Sequence, residues 1–251
     1  MARVDKEGDL RRDMAEMKGE MLQTVRQSGR RPRFALGCGI VALVVLVLSL
    51  FAAAWAFAAT GLANVPVLTS VAYHRPEPAH PVAATVTLDL FVSDFLNRVL
   101  TARLQQGGGT LNDRSISIDL PEGSFTASLR AALKSNAQTA IDPDRSQVAV
   151  DEQGLELYLP LADNPRGSAV TLRLRMETGQ DGLTVRVSDL HVGSLPFPDF
   201  VTQAVLAPAV QSSFAGFAKE LARYATITSV SYAPGAVTLK GDLTVEVLKL
   251  K

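Results

Sequence analysis

Three kinds of apolar pattern follow one another along the chain, and each predicts a different element. The first is unbroken. The run from Phe34 to Ala59, through Val41, Val44, Val45, Leu46, Val47, Leu48, Leu50 and Phe51, is predominantly apolar, and no Asp, Glu, Lys or Arg occurs between Arg33 and Arg75. About 20 apolar residues suffice for a helix to cross a hydrocarbon core about 30 Å thick, with every backbone group satisfied internally. Residues 34–59 therefore read as a transmembrane helix, preceded by a polar tail, residues 1–33.

The second pattern has the period of a helix. Leu10, Met14, Met17, Met21 and Val25 share one face in the tail, as a helix on the headgroups or as a short coiled coil. Ser93 offers an N-cap to a helix reaching about Leu104, with Phe95, Leu96, Val99, Leu100 and Leu104 on its buried stripe and Gly107 to Gly109 ending it. A second helical region, Asp199 to about Tyr224, is interrupted near Pro208. Its later half sets Val210, Phe214, Phe217 and Leu221 on one seam.

The third pattern alternates with period two. Val86, Leu88 and Leu90 predict a strand. Ile116, Ile118 and Leu120 lead through Pro121-Glu122-Gly123 into Phe125, Ala127, Leu129, Ala131 and Leu133, a predicted hairpin. Val148 and Val150 turn at Asp151 to Gly154 into Leu155, Leu157, Leu159 and Leu161. Val170, Leu172, Leu174 and Met176 turn at Gly179 to Gly182 into Leu183, Val185 and Val187. Ile227, Val230 and Tyr232 return through Pro234-Gly235 as Val237 and Leu239, and Leu243 to Lys251 suggests one further strand. Residues 60–82, with Pro66, Pro76, Pro78 and Pro81, read as an extended linker. The predicted fold class is thus α+β: a single transmembrane helix, then a domain over 83–251 in which a long curved antiparallel sheet wraps helices 93–104 and 209–223.

Charge orients this plan. Arg26, Arg30, Arg31 and Arg33 crowd the N-terminal flank of the apolar run, whereas Thr60 to His74 has no Lys or Arg, so the tail is expected in the cytoplasm and the large domain outside. An uncleaved signal anchor is the reading; a cleaved signal peptide at Ala56-Phe57-Ala58 is the alternative, against which stand the long N-terminal region and apolar run. Cys38 precedes the bulk of the apolar run, so it is no lipobox cysteine, although a thiol near the membrane can be acylated. The tail carries nine of the 25 basic and six of the 25 acidic residues, which leaves the rest slightly acidic, 16 against 19, and argues against nucleic acid. With no cysteine beyond Cys38, the exported part must live on its apolar core.

Candidate chemistry is sparse. His74 and His80 lie in the linker, and His191 stands beside Asp189 as a polar strand edge, with no nucleophile turn to make it catalytic. Asp142, Asp144, Asp151 and Glu152 lack the spacing of a calcium hand and read as turn carboxylates. No metal, cofactor or enzymatic activity is expected.

The stretches LDLFVSDFLNRVL (Leu88 to Leu100), VSDLHVGSLPFP (Val187 to Pro198) and ITSVSYAPGAVTLKGDL (Ile227 to Leu243), set after one N-terminal membrane helix, resemble the YpmS-like envelope proteins and, more loosely, the tubular lipid-binding (TULIP-like) group. That resemblance covers most of residues 83–248, and the longer tail and the Gly107 to Gly109 insertion depart from it. It implies a twisted sheet enclosing an apolar channel for an acyl chain or phospholipid. The lining expected here is Phe95, Leu96, Val99, Leu172, Leu174, Phe214 and Phe217. The same residues can instead fill a core, in which case the protein is a non-enzymatic envelope scaffold. Self-association is open to it through the tail or through the membrane helix, where Ala35 and Gly39 permit close approach.

Overall fold

A computed structural model describes residues 14, 16–20, 32–105, 115–135, 140–179 and 182–244. Residues 16–20 of the tail are helical; Leu10, Met21 and Val25 of the expected tail face lie outside the described residues, as do Gly107 to Gly109 and residues 245–251. The first long element is helix α1, Pro32–Ala59. Its stretch Val41–Ala59 is long and apolar enough to cross a membrane by length and composition. Its side chains from Val41 to Phe51 are exposed in the isolated chain, as they would be in a helix solvated by lipid.

Two compact units divide the chain, Met1–Ala54 and Trp55–Lys251. The second is an α+β domain with two antiparallel sheets. After a short helix α2 (Leu68–Ala72) come helix α3 (Leu88–Gln105), strand β1 (Ser115–Pro121) and helix α4 (Glu122–Ser135). A five-stranded meander follows in chain order: β2 (Gln147–Asp151), β3 (Gly154–Pro160), β4 (Ala169–Gly179), β5 (Gly182–Val192) and the short β6 (Leu195–Pro196). Helix α5 (Asp199–Val201) passes through a π-turn, Thr202–Leu206, into α6 (Ala207–Tyr224). The π-turn stands where Pro208 cannot donate a backbone hydrogen bond to the preceding turn. Strands β7 (Ala225–Ala233) and β8 (Ala236–Leu243) form the last hairpin, and β1 pairs with β8 to complete a three-stranded sheet in the order β1-β8-β7.

The predicted alternation holds on β1 and β8, although they pair with each other from far apart in the chain. Ile116, Ile118 and Leu120 are buried on β1 while their neighbours are exposed, and Val237, Leu239 and Leu243 are buried on β8. Three expectations are corrected. Residues 125–133 are not a strand but the body of α4. Both periods fit Phe125, Leu129 and Leu133, and strong helix formers such as Ala131, Ala132 and Leu133 favour the helical one. Residues 85–90 form no strand: α3 begins at Leu88, which is buried, while Val86 and Leu90 are exposed. Ser93 is not the N-cap of α3 but lies inside it, its hydroxyl donating to Leu90 O at 3.0 Å; the first N–H, of Leu88, is instead satisfied by Ser128 Oγ of α4 at 2.7 Å.

The expected single curved sheet is instead two sheets, one of three strands and one of five. The main core lies between them. Ile118, Leu120, Val237 and Leu239 from one sheet pack in one cluster with Val150, Leu155, Met176 and Val185 from the other, and Leu88, Leu96 and Leu221 come from α3 and α6. A second cluster joins Leu172, Val187 and Leu190 to Ala207.

Residues 60–82 are not slack. Tyr158 Oη donates to Pro76 O at 3.1 Å, Ala79 N–H donates to Glu156 Oε1 at 2.9 Å, and Gln147 bonds both His80 O and the Val82 N–H. The segment expected as a linker is thus bonded to β2 and β3 of the five-stranded sheet.

Candidate functional site

The half-buried apolar side chains gather around the main core. On α3, Leu88 and Leu96 are buried, and Phe91, Val92 and Phe95 pack on the same cluster while remaining half-buried. On α6, Leu221 is buried and Val210, Phe214 and Phe217 are half-buried along the expected seam. The Phe214 and Phe217 rings lie 5.4 Å apart at 51°, the tilted arrangement that aromatic pairs favour. Phe125 and Leu129 of α4 and Leu157 and Leu174 of the larger sheet join the same cluster, also half-buried. The five half-buried phenyl rings, Phe91 and Phe95 of α3, Phe125 of α4 and Phe214 and Phe217 of α6, each pack inward on this cluster and are termed the aromatic belt.

Of the seven residues expected to line an acyl site, Phe95, Leu96, Leu174, Phe214 and Phe217 come together in this cluster. Leu172 belongs to the second cluster, to which Leu174 also packs, and Val99 is half-buried outside both. Leu96 and Leu172, 5% and 7% exposed, are already covered by protein, so they can contribute shape but little open surface. The sequence reading missed Phe91, Phe125 and Leu129. Their signal was available: Phe91 stands four residues before Phe95, and Phe125 four before Leu129, the spacing of one helical face.

Polar groups near the belt serve the fold. Tyr232 Oη donates to Met176 O at 2.9 Å and accepts the Met176 N–H, tying β7 to β4. Burial pushes its phenol above the usual tyrosine range. The Arg175 guanidinium lies 5.7 Å from the centre of its ring.

The carboxylates singled out in the sequence hold turns. Asp142 Oδ1 accepts the N–H groups of Asp144 and Arg145, and Asp151 Oδ1 accepts those of Gln153 and Gly154. Lys134 lies 2.7 Å from Asp144 and lowers its carboxyl below the ordinary range. Arg173 bridges Asp151 and Glu156 at 3.2 Å each. His191 Nε2 is 3.1 Å from Asp189 on the exposed face of β5. Among the described residues no three of His, Cys, Asp and Glu converge as metal ligands.

What the molecule presents is an α+β domain with a half-buried aromatic belt, in a chain that also carries a membrane-length helix. No protein-family model and no curated protein matches the chain.

Proposed function

We propose that this is a single-pass membrane protein with its N-terminus in the cytoplasm, whose extracytoplasmic domain holds a lipid acyl chain against the aromatic belt of α3 and α6. The observation that carries the reading is the belt itself: Phe91, Phe95, Phe125, Phe214 and Phe217 are all half-buried on one core cluster. Phenyl rings left partly in water offer a receiving surface for an apolar chain. Each methylene covered contributes about 0.8 kcal/mol, so a long acyl chain needs few polar contacts. The arginine-rich flank of α1 supports the orientation. Tyr232, which packs on the same cluster, is committed to backbone bonds, and we assign the domain a binding role without a reaction.

A scaffold with a filled core is the second reading, favoured by Leu96 and Leu172 being already buried. The two separate when the full-length chain is placed in vesicles containing phospholipid with a photoactivatable acyl chain. Acyl binding predicts adducts on peptides containing Phe95, Phe214 or Phe217, reduced several-fold by Phe214→Ala with Phe217→Ala. Adducts confined to α1 would leave the scaffold reading in its place.

A further inference from the structure

The uncharged stretch does not end where the membrane-length helix ends: no Asp, Glu, Lys or Arg occurs from Thr60 to His74. Those residues are firmly folded. The Ser168 hydroxyl donates to Thr60 O, and the Ser194 N–H reaches Ala59 O at 2.9 Å. Asn164 Nδ2 donates to Gly61 O at 3.3 Å, and Ser194 Oγ accepts the His74 N–H and donates to His74 O. Helix α2 turns Leu68 and Ala72 toward Ala58 and Ala59.

The other side of this segment faces out. Leu62, Val67 and Val71 are 51%, 77% and 61% exposed, without a charged residue in the segment to solvate them. Val67 is moreover held at φ 69° and ψ −50°, a strained positive-φ turn conformation that β-branched residues avoid, closed by the Leu68 N–H on Pro66 O at 2.8 Å. The first cation after the stretch, Arg75, lays its guanidinium against Gly167, next to Arg166, which itself donates to Ala63 O at 3.4 Å. An uncharged segment that exposes Leu62, Val67 and Val71 beside the polar Asn64, Ser70 and His74, with Arg166 bonded to it and Arg75 following it, is the layout of a surface that meets the interfacial layer of tails and headgroup phosphates.

We propose that the face formed by Leu62, Val67 and Val71 is embedded in the interfacial layer of the leaflet reached by the C-terminal end of α1, with Arg75 and Arg166 at the phosphates. Phospholipid is the occupant. The proposal rests on the membrane-crossing part of the reading above and is independent of acyl uptake by the belt.

The test uses the full-length chain with Cys38→Ala and one added cysteine, Leu46→Cys, Val67→Cys, Val71→Cys or Glu152→Cys, carrying an environment-sensitive fluorophore in phosphatidylcholine vesicles. Brominated phosphatidylcholine should quench positions 46, 67 and 71 several-fold more than the turn position 152. Quenching at 46 with 67 and 71 matching 152 overturns this inference alone. Position 46 matching 152 removes the membrane-crossing reading, and the inference with it.

Discussion

Tyr232 shows how one side chain holds the two sheets to each other. β4 outruns β3 beyond the Leu155–Leu174 pair, so Met176 has no strand partner on that side, and the Tyr232 hydroxyl takes both its N–H and its carbonyl. Tyr232→Phe leaves two buried backbone groups unpaired and should cost about 1–3 kcal/mol, read from guanidinium unfolding of the detergent-solubilised full-length chain. The pH dependence has a definite sign. Burial raises the phenol above its ordinary value of 10.0, so its contribution is complete below that pH and is lost as the pH rises through the folded-state value. The wild type should therefore weaken in that alkaline range more steeply than Tyr232→Phe; parallel curves would mean that the phenol is not buried.

Helix α4 owes its position to an unpaired strand edge. β2 is the outer strand of its sheet, and an open edge exposes backbone groups to unwanted pairing. α4 closes that edge with side chains: Thr126 Oγ1 accepts the Val148 N–H at 2.9 Å and donates to Val148 O at 3.1 Å, while Glu122 Oε2 accepts the Val150 N–H at 3.0 Å. Gly235 N–H completes the edge on Val150 O at 3.0 Å. Thr126→Val keeps the volume and deletes both hydroxyl bonds. It should destabilise the domain by about 1–3 kcal/mol and speed amide exchange at Val148, whereas unchanged exchange would show that α4 does not seal β2.

At the scale of the molecule, the domain begins before the end of the apolar helix. Trp55 to Ala59 belong to the same compact unit as the sheets, and the turn after β5 closes on them. Gly193 makes this possible. It sits at φ +61°, and a Cβ there would lie 2.4 Å from Thr60 O and 2.8 Å from Ala59 O. Gly193→Ala should therefore loosen residues 60–75 while sparing the main core. Chymotrypsin added to the outer face of intact spheroplasts should then cut after the half-buried Tyr73 several-fold faster than in the wild type and leave the arginine-rich tail whole. Cleavage of the tail instead would reverse the proposed orientation.

A short window of residues encodes part of this fold without any tertiary partner. The absence of charge from Phe34 to His74 marks the membrane-length helix; the alternation of Leu172, Leu174 and Met176 with Thr171, Arg173 and Arg175 marks a sheet face; the spacing of Val210, Phe214, Phe217 and Leu221 marks the α6 seam, and with it two rings of the belt. Where two periods fit the same letters, as from Phe125 to Leu133, periodicity does not choose, because apolar residues two and four apart satisfy both strand and helix, and the helix formers from Ala131 to Leu133 only lean toward the helix. There the decision came from partners far along the chain: Ser128 under the first N–H of α3, Thr126 and Glu122 on the bare edge of β2. The same holds for residues 60–82, whose prolines suggest a free linker until Tyr158, Glu156 and Gln147 bond to it. Local periodicity fixes which face a residue turns, whereas the pairing of buried backbone groups is settled only when distant segments meet, since each must find a partner once water is excluded.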